Sequence, residues 1–486
     1  MPAREWLACR TVNVVEAFTV SPTFQGMEFS IMFCRPLAIS VAAAVGLSAG
    51  VTFAQTLPPA QPTSFDYNYY AQDTAASPSD APAPAPAVAV PSVGCDAGCD
   101  SACSTCCDSA CGGCDSCCSN SCGCGHSLFD CCCLGEPWTL FGENCCGITA
   151  NGWAQFGFYT NEYGNSDNGP LGFNNEANGF QMHQLWLSVN KEAATDCCLD
   201  WGFGVDYVFG VDGEDTQAFG NLNGVGYDNE WDASSDYASA LPQLYGTLGY
   251  NDWTVKLGHF YTLIGYEVVQ ATGNFFYSHS YSQYYGEPFT HTGVLASHDA
   301  GCGTAYHAGY VFGWDTGFDD GGDQSMFLGG ISKELNDNVS IAWMLTAGDF
   351  GTGNGDLYMN SIVVTAQLTD RLQYIFQHDM GDQSGEGNAN EWYSINQYLL
   401  YSMNDCWAFG GRFEWLRDDD GARVVPGTVG NYYEATFGLN YKPHANVIVR
   451  PELRFDWADV EAGALPYNGG TADEQTSGGL DIIFTF

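Results

Sequence analysis

Positive charge is scarce in this chain. Its 486 residues carry 13 Lys and Arg against 57 Asp and Glu, a formal net charge of −44. So little basic surface leaves no footprint for nucleic acid, whose binding rests on neutralising phosphates. Long apolar runs are also scarce. The one such run, residues 37–51 (LAISVAAAVGLSAGV), is too short and too rich in Gly, Ala and Ser for a membrane-spanning helix. No helical period of useful length follows it. The motifs G-x-S-x-G, H-E-x-x-H and G-x-x-x-x-G-K-S/T are absent, so the common hydrolases, zinc proteases and nucleotide-binding enzymes find no support. His378 and Asp379 are neighbours in sequence, and a strand would point them to opposite faces. No enzyme activity, catalytic residue, cofactor or metal is therefore expected.

Other residue types are abundant. Aromatics make up 14% of the chain, with 59 Gly and 27 Tyr, a composition for strands and tight turns. It also excludes the global disorder that acidity alone would suggest. Of the 22 Cys, 16 lie between Cys95 and Cys146, a density that suits an oxidising compartment outside the cytosol.

Four regions follow. Residues 1–54 read as a signal-peptide region: Arg35 precedes the apolar run, and Thr52 and Ala54 stand at the spacing of a cleavage site. The stretch before that run is long for a signal peptide, so Met27 and Met32 are alternative starts. Residues 55–94, with APAPAPAVAVP, form a Pro/Ala-rich linker of polyproline-like or disordered character. Residues 95–146 form a Cys-rich segment. Its C-x-x-C pairs, such as Cys103/Cys106 and Cys111/Cys114, have spacing that metals accept. The Gly, Ser and Asp between them leave little to pack, which favours disulfides as the ordering device. Their pairing, within the chain or to envelope partners, is open.

The fourth region, 147–486, is a ladder of sixteen strand-like segments from 149–160 to 476–486, each closed by Gly, Asn or Asp. Some alternate cleanly. VIVRPELRFDW puts Val447, Val449, Leu453, Phe455 and Trp457 on one face and Arg450, Glu452, Arg454 and Asp456 on the other. WAFGGRFEW and NYYEATFGLNY set Arg412, Glu414 and Glu434 opposite aromatic faces in the same way. Connections alternate between short, such as 251–252 and 369–370, and long, such as 212–241 and 260–287. Short turns on one rim and long loops on the other are the mark of an all-β, transmembrane, antiparallel up-and-down β-barrel. About sixteen strands are expected, with fourteen to eighteen open. The closing LDIIFTF suits a terminal strand met by the barrel assembly machinery, and the outer face would meet outer-membrane lipid. This topology puts Cys145, Cys146, Cys197, Cys198, Cys302 and Cys406 on the periplasmic rim with the Cys-rich segment. These six are the disulfide candidates for tying that segment to the barrel base.

A barrel of this size has room for a water-filled lumen. Its pore-lining candidates are Arg412, Glu414, Glu434, Arg450, Glu452, Arg454 and Asp456. Seven of the ten Lys and Arg after residue 54 lie between Arg371 and Arg454, which concentrates positive charge on one wall. Those groups either set up a transverse field or pair with lumen carboxylates and stiffen the wall. Loop 260–287, FYTLIGYEVVQATGNFFYSHSYSQYYGE, is too apolar to be freely solvated. It is expected to fold into the lumen as a constriction, with packing over the mouth or against a second barrel of a homo-oligomer as the alternatives. Glu267 and Glu287 are then the candidate acidic partners of the basic wall. The carboxylates of DTGFDDGGD (315–323) lack a twelve-residue Ca²⁺-loop pattern and read as a solvated acidic rim. Pro451 predicts a bulge or register shift, since it cannot donate to the ladder.

GEPWTLF (135–141), CGITANGWAQFGF (146–158), WTVKLGHFYTLIGYEVVQATGNFFYSHSY (253–281), YGEPFTHTGVLAS (285–297) and LTDRLQYIFQHD (368–379) resemble the OmpL-like β-barrel porin family. The resemblance spans residues 135–486 and implies an outer-membrane porin passing small hydrophilic solutes or ions by diffusion. Two alternatives remain open: a structural envelope protein cross-linked through its cysteines, and an outer-membrane barrel enzyme.

Overall fold

The computed structural model describes residues 129, 131, 134–135, 137–141, 147–195, 198–218, 227–229, 231–234, 236–318, 323–351, 354–385 and 390–486. The signal-peptide region, the linker, most of the Cys-rich segment, Cys145, Cys146, Cys197 and part of the 315–323 acidic stretch lie outside the described residues.

Sixteen antiparallel strands pair in chain order and close on themselves. They are β1 (Ile148–Asn161), β2 (Phe180–Lys191), β3 (Asp200–Gly210), β4 (Ala238–Tyr250), β5 (Trp253–Tyr261) and β6 (Thr290–Asp299). Then come β7 (Thr304–Val311), β8 (Ser325–Asn336), β9 (Val339–Asp349), β10 (Asp356–Thr369) and β11 (Leu372–Ser384). The last are β12 (Asn390–Ser402), β13 (Trp407–Asp418), β14 (Val429–His444), β15 (Val447–Ala462) and β16 (Glu474–Thr485). Every expected segment overlaps one strand. Closure is made by β1 on β16, in register from Trp153↔Thr485 to Asn161↔Ser477.

The connections keep the expected parity. β4 and β5 are joined by Asn251 and Asp252, both at positive φ (46° and 64°), the twist a two-residue hairpin demands. The opposite rim carries the long loops, 211–237 and 262–289 among them. The strand faces sort by solvent. On β14 and β15 the outward Phe437 and Leu453 are 59% and 45% exposed, while the inward Glu434 and Arg454 are 0% exposed. A largely apolar exterior around a polar interior is stable when the exterior meets hydrocarbon.

Two local features differ from expectation. Pro451 sits opposite Leu480 of β16 without a register shift. Toward β14 the ladder lacks only the pairs around Leu439 and Asn440, and Gly438↔Glu452 and Tyr441↔Val449 share one register; the shift lies farther on, between Tyr441 and His444. The missing N–H costs ladder bonds but not register. A bulge does occur in β2, where His183 is the extra residue between the pairs Gln155↔Gln184 and Phe156↔Met182. His183 and Gln184 are consecutive, yet both side chains are buried.

The described end of the Cys-rich segment is strapped to the short-turn rim. Cys131 forms a disulfide with Cys406, in the β12–β13 turn. The Phe129 ring packs edge-on against Trp407, with centroids 5.4 Å apart. Trp138 exchanges two hydrogen bonds with Asn446, each 2.9 Å, in the β14–β15 turn. Among the other candidates, Cys302 is disulfide-bonded and Cys198 is exposed beside β3.

Candidate functional site: the lumen and its inserted loop

Loop 262–289 leaves β5 and does not stay at the rim. It crosses the lumen, and its side chains and backbone reach β11–β16 and the first two strands on the far side. Eight Phe and Tyr in this stretch supply the apolar surface that entry buries; Phe275 and Phe276, for example, pack against Ile375, Tyr398 and Leu400.

The wall grips the loop through charge. Glu452 accepts the backbone N–H groups of Tyr277 at 2.8 Å and Ser278 at 3.1 Å. Glu414 accepts those of Tyr281 and Ser282, both at 2.6 Å, and the Ser282 hydroxyl. Arg450 donates to the carbonyls of Ala271 (2.9 Å) and Asn274 (2.8 Å), and Arg454 to that of His279 at 2.5 Å. Arg412 is the hub. It pairs with Glu267 of the loop at 2.6 Å and with Glu434 of the wall at 2.5 Å, and donates to the Ser278 carbonyl at 2.8 Å. The loop runs as irregular backbone here, so its N–H and C=O groups need partners, and these charged side chains supply them.

The seven pore-lining candidates therefore all point inward and meet the loop or each other. Asp456 pairs with Arg454 at 2.8 Å and accepts the Tyr281 hydroxyl at 2.7 Å. Of the two readings of the basic wall, the geometry matches mutual pairing. Arg412, Arg450 and Arg454 stand among Glu267, Glu414, Glu434, Glu452, Asp456 and Asp481, so three positive groups face six carboxyl groups. Ionised throughout, the cluster would carry 3 − 6 = −3.

Glu267 partners the basic wall, but Glu287 does not. The Glu287 carboxyl takes a hydrogen bond from Gln377, whose amide nitrogen also reaches Asp379 at 2.7 Å. Burial and the adjacent Asp379 push the Glu287 carboxyl well above the usual carboxylate range. The loop has no strand period to project side chains at a chosen wall, so its sequence gives no guide to which wall Glu287 meets.

A second latch escapes sequence reasoning. The Tyr277 hydroxyl meets His183 Nε2, and His183 Nδ1 lies 2.8 Å from Asp212 of the short helix Asp212–Thr216. Gly157 is required beside it, because a Cβ there would land on the Tyr277 ring. Other long loops close over the inserted one. Arg423 of loop 419–428 donates to the Tyr285 carbonyl at 2.6 Å and lies 4.4 Å from the centroid of Trp392; burial pulls its pKa down to about 10. Asp315 accepts the N–H groups of Phe289 and Thr290 at 2.7 and 2.8 Å, and Asp215 accepts the Tyr284 hydroxyl at 2.7 Å. Burial raises both carboxyls to about 6. Asp315 is thus a structural acceptor and not part of a solvated rim. Among the described residues no cluster of His, Cys, Asp and Glu fits a metal ion.

A family model described as "Putative beta-barrel porin-2, OmpL-like" matches residues 147–486. No curated protein matches the chain. Among solved structures, an anion-selective porin from Comamonas acidovorans aligns with a TM-score of 0.51 at 14% identity, over 70% of this chain and 99% of that one. That likeness is one of fold and extends no further. The outer membrane channel DcaP of Acinetobacter baumannii aligns at a TM-score of 0.47 and 10% identity, over 71% and 99% of the two chains.

Proposed function

The chain belongs to the OmpL-like β-barrel porin-2 family, and from that premise we propose that it is an outer-membrane channel for passive diffusion of small hydrophilic solutes and ions. The observation that carries this reading is the loop anchored across the lumen by six buried wall charges, with a seventh, Glu434, bracing Arg412. A barrel built only to sit in the membrane has no use for a lumen loop whose backbone is met group by group. Arg412, Glu414, Glu434, Arg450, Glu452, Arg454 and Asp456 act here as anchors that fix the shape of the constriction. The excess of carboxyl groups over guanidinium groups makes the passage favour cations. Short turns and the Cys-rich segment face the periplasm, and the outward Leu480, Ile482 and Phe484 of β16 present the signal that barrel assembly machinery reads.

The test is the reversal potential of the purified barrel across a planar bilayer with a KCl gradient. A potential of the sign for K⁺ permeation is expected. A potential of the sign for Cl⁻ would reject the charge argument while leaving the channel standing.

A second role rests on the Cys131–Cys406 disulfide. It makes the Cys-rich segment a covalent appendage of the barrel base, where its remaining thiols can cross-link to envelope partners. Non-reducing mass mapping from isolated outer membranes tests this: peptides of residues 95–133 bridged to another polypeptide support it, and bridges confined to the chain reject it.

A further inference from the structure

The outward belt is largely apolar at middle depth, and on three neighbouring strands it carries polar side chains that no loop of the chain covers. On β1–β9 and β13–β16 the outward mid-strand positions are apolar apart from His259 of β5 and Thr292 of β6, which bond each other at 2.8 Å and are buried under Tyr227 and Thr316 of the chain's own loops. On β10, β11 and β12 they include Asn360, His378 and Gln397. Strand alternation fixes their direction: Asn360 follows the exposed Tyr358, His378 precedes the exposed Met380, and Gln397 precedes the exposed Leu399. The registers put the three on one diagonal. Asn360 faces Met380 and Ile362 faces His378 across β10–β11, and Phe376 faces Gln397 across β11–β12.

Two of these groups are not fully served by the barrel. Gln397 Oε1 accepts the Tyr374 hydroxyl at 2.8 Å, but that bond leaves its amide N–H₂ for another acceptor. His378 Nδ1 is shielded from solvent and has no hydrogen-bond partner. Hydrocarbon offers neither donors nor acceptors, so polar groups at this depth are costly unless another protein surface covers them. A closed barrel presents no strand edge, which leaves side chains as its means of pairing.

Resting on the outer-membrane reading above, we infer that the β10–β12 face is a two-fold interface between copies of this chain. Amides and neutral imidazole each carry both a donor and an acceptor, so the diagonal is complementary to itself. A two-fold axis along the membrane normal keeps each residue at its own depth and brings His378 opposite its counterpart. A three-fold ring would instead set this face against a different one, where the polar pair His259 and Thr292 is already bonded and buried and the rest is apolar, leaving the three groups unmatched.

The test places a photo-crosslinking amino acid at His378, Gln397 or, five strands from β11 on β16, Leu480, in the full chain in intact outer membranes. Cross-linked dimer is expected from the first two positions and not from Leu480. A second arm measures native mass in mild detergent for the triple variant Asn360→Leu/His378→Leu/Gln397→Leu, after heat-modifiable migration has shown that it is folded. Wild type is expected as a dimer and the folded variant as a monomer. Trimers, adducts to a different protein, cross-linking from Leu480 alone, a wild-type monomer or a folded variant that stays dimeric would each overturn the inference. Conductance is read in parallel, so an assembly failure is separable from failure of the channel reading.

Discussion

Replacing Arg412 with Gln removes the hub of the loop anchorage. The change deletes the ion pairs to Glu267 and Glu434 and the hydrogen bond to the Ser278 carbonyl, leaving Glu267 buried without a counter-charge and Glu434 with Arg454 alone, at 3.8 Å. Removing one partner of a buried ion pair costs about 3–5 kcal/mol, because the other charge stays desolvated. At about 1.4 kcal/mol per factor of ten, the detached-loop population should rise by roughly two to three orders of magnitude. Glu452 and Glu414 still hold four loop N–H groups, so the barrel stays folded. Chymotrypsin is the suitable probe: loop 262–289 has eight Phe and Tyr but no Lys or Arg, and trypsin would be blind to it. With folded protein in detergent, the rate of loop cleavage tracks the detached population when reclosing outpaces cleavage. An Arg412→Gln barrel cut at least a hundredfold faster than wild type is the expected result. The triple variant Arg412→Met/Glu267→Gln/Glu434→Gln should recover most of the resistance, since no unpaired charge remains. An Arg412→Gln barrel as resistant as wild type would refute the anchorage argument.

Other outcomes follow from the same contacts. Asp315 and Asp215 have folded-state pKa values of about 6 against an ordinary 3.8. A raised folded value makes the contribution greatest in acid and removes it as pH rises through about 6. Amide exchange at Phe289 and Thr290, corrected for intrinsic rate, should therefore be better protected at pH 5 than at pH 8, and Asp315→Asn should flatten the difference. Cys131→Ser opens a link across 275 residues and leaves the strap held by Asn446 and the Phe129 contact. Protease should then release the Cys-rich segment from the folded barrel while heat-modifiable migration is unchanged. Glu287→Gln replaces a carboxyl whose ionisation Asp379 disfavours, so loop resistance to chymotrypsin should match wild type to within about threefold.

Much of this was legible in the sequence, because a barrel strand obeys a period of two. That period placed Arg450, Glu452, Arg454 and Asp456 on the inner face, and connection lengths ordered the rims. Composition put loop 262–289 inside, since its aromatics have no stable place in water. What alternation cannot say is what lies opposite an inward side chain. The anchoring role of Glu414 and Glu452 depends on backbone N–H groups of an irregular loop, which carry no sequence signature. Glu287 fell against Asp379 and not the basic wall for the same reason. His183 was hidden by the β2 bulge, which breaks the alternation of FQMHQLWLSVN just where the Tyr277 latch forms. Pro451 misled in the other direction: a proline can drop out of a ladder without moving its register. Cys131 was one of many closely spaced cysteines, and only the folded rim shows which of them meets Cys406.

The most direct test of the account is single-channel recording of two proteins in planar bilayers: the wild-type chain and one in which residues 266–284 are replaced by a short Gly/Ser link. Discrete steps are predicted for both, with the trimmed barrel several-fold more conductive because its bore is no longer crossed. Folded, inserted protein that gives no steps in either form would contradict the channel reading, and equal conductance in the two would contradict the claim that the anchored loop sets the passage.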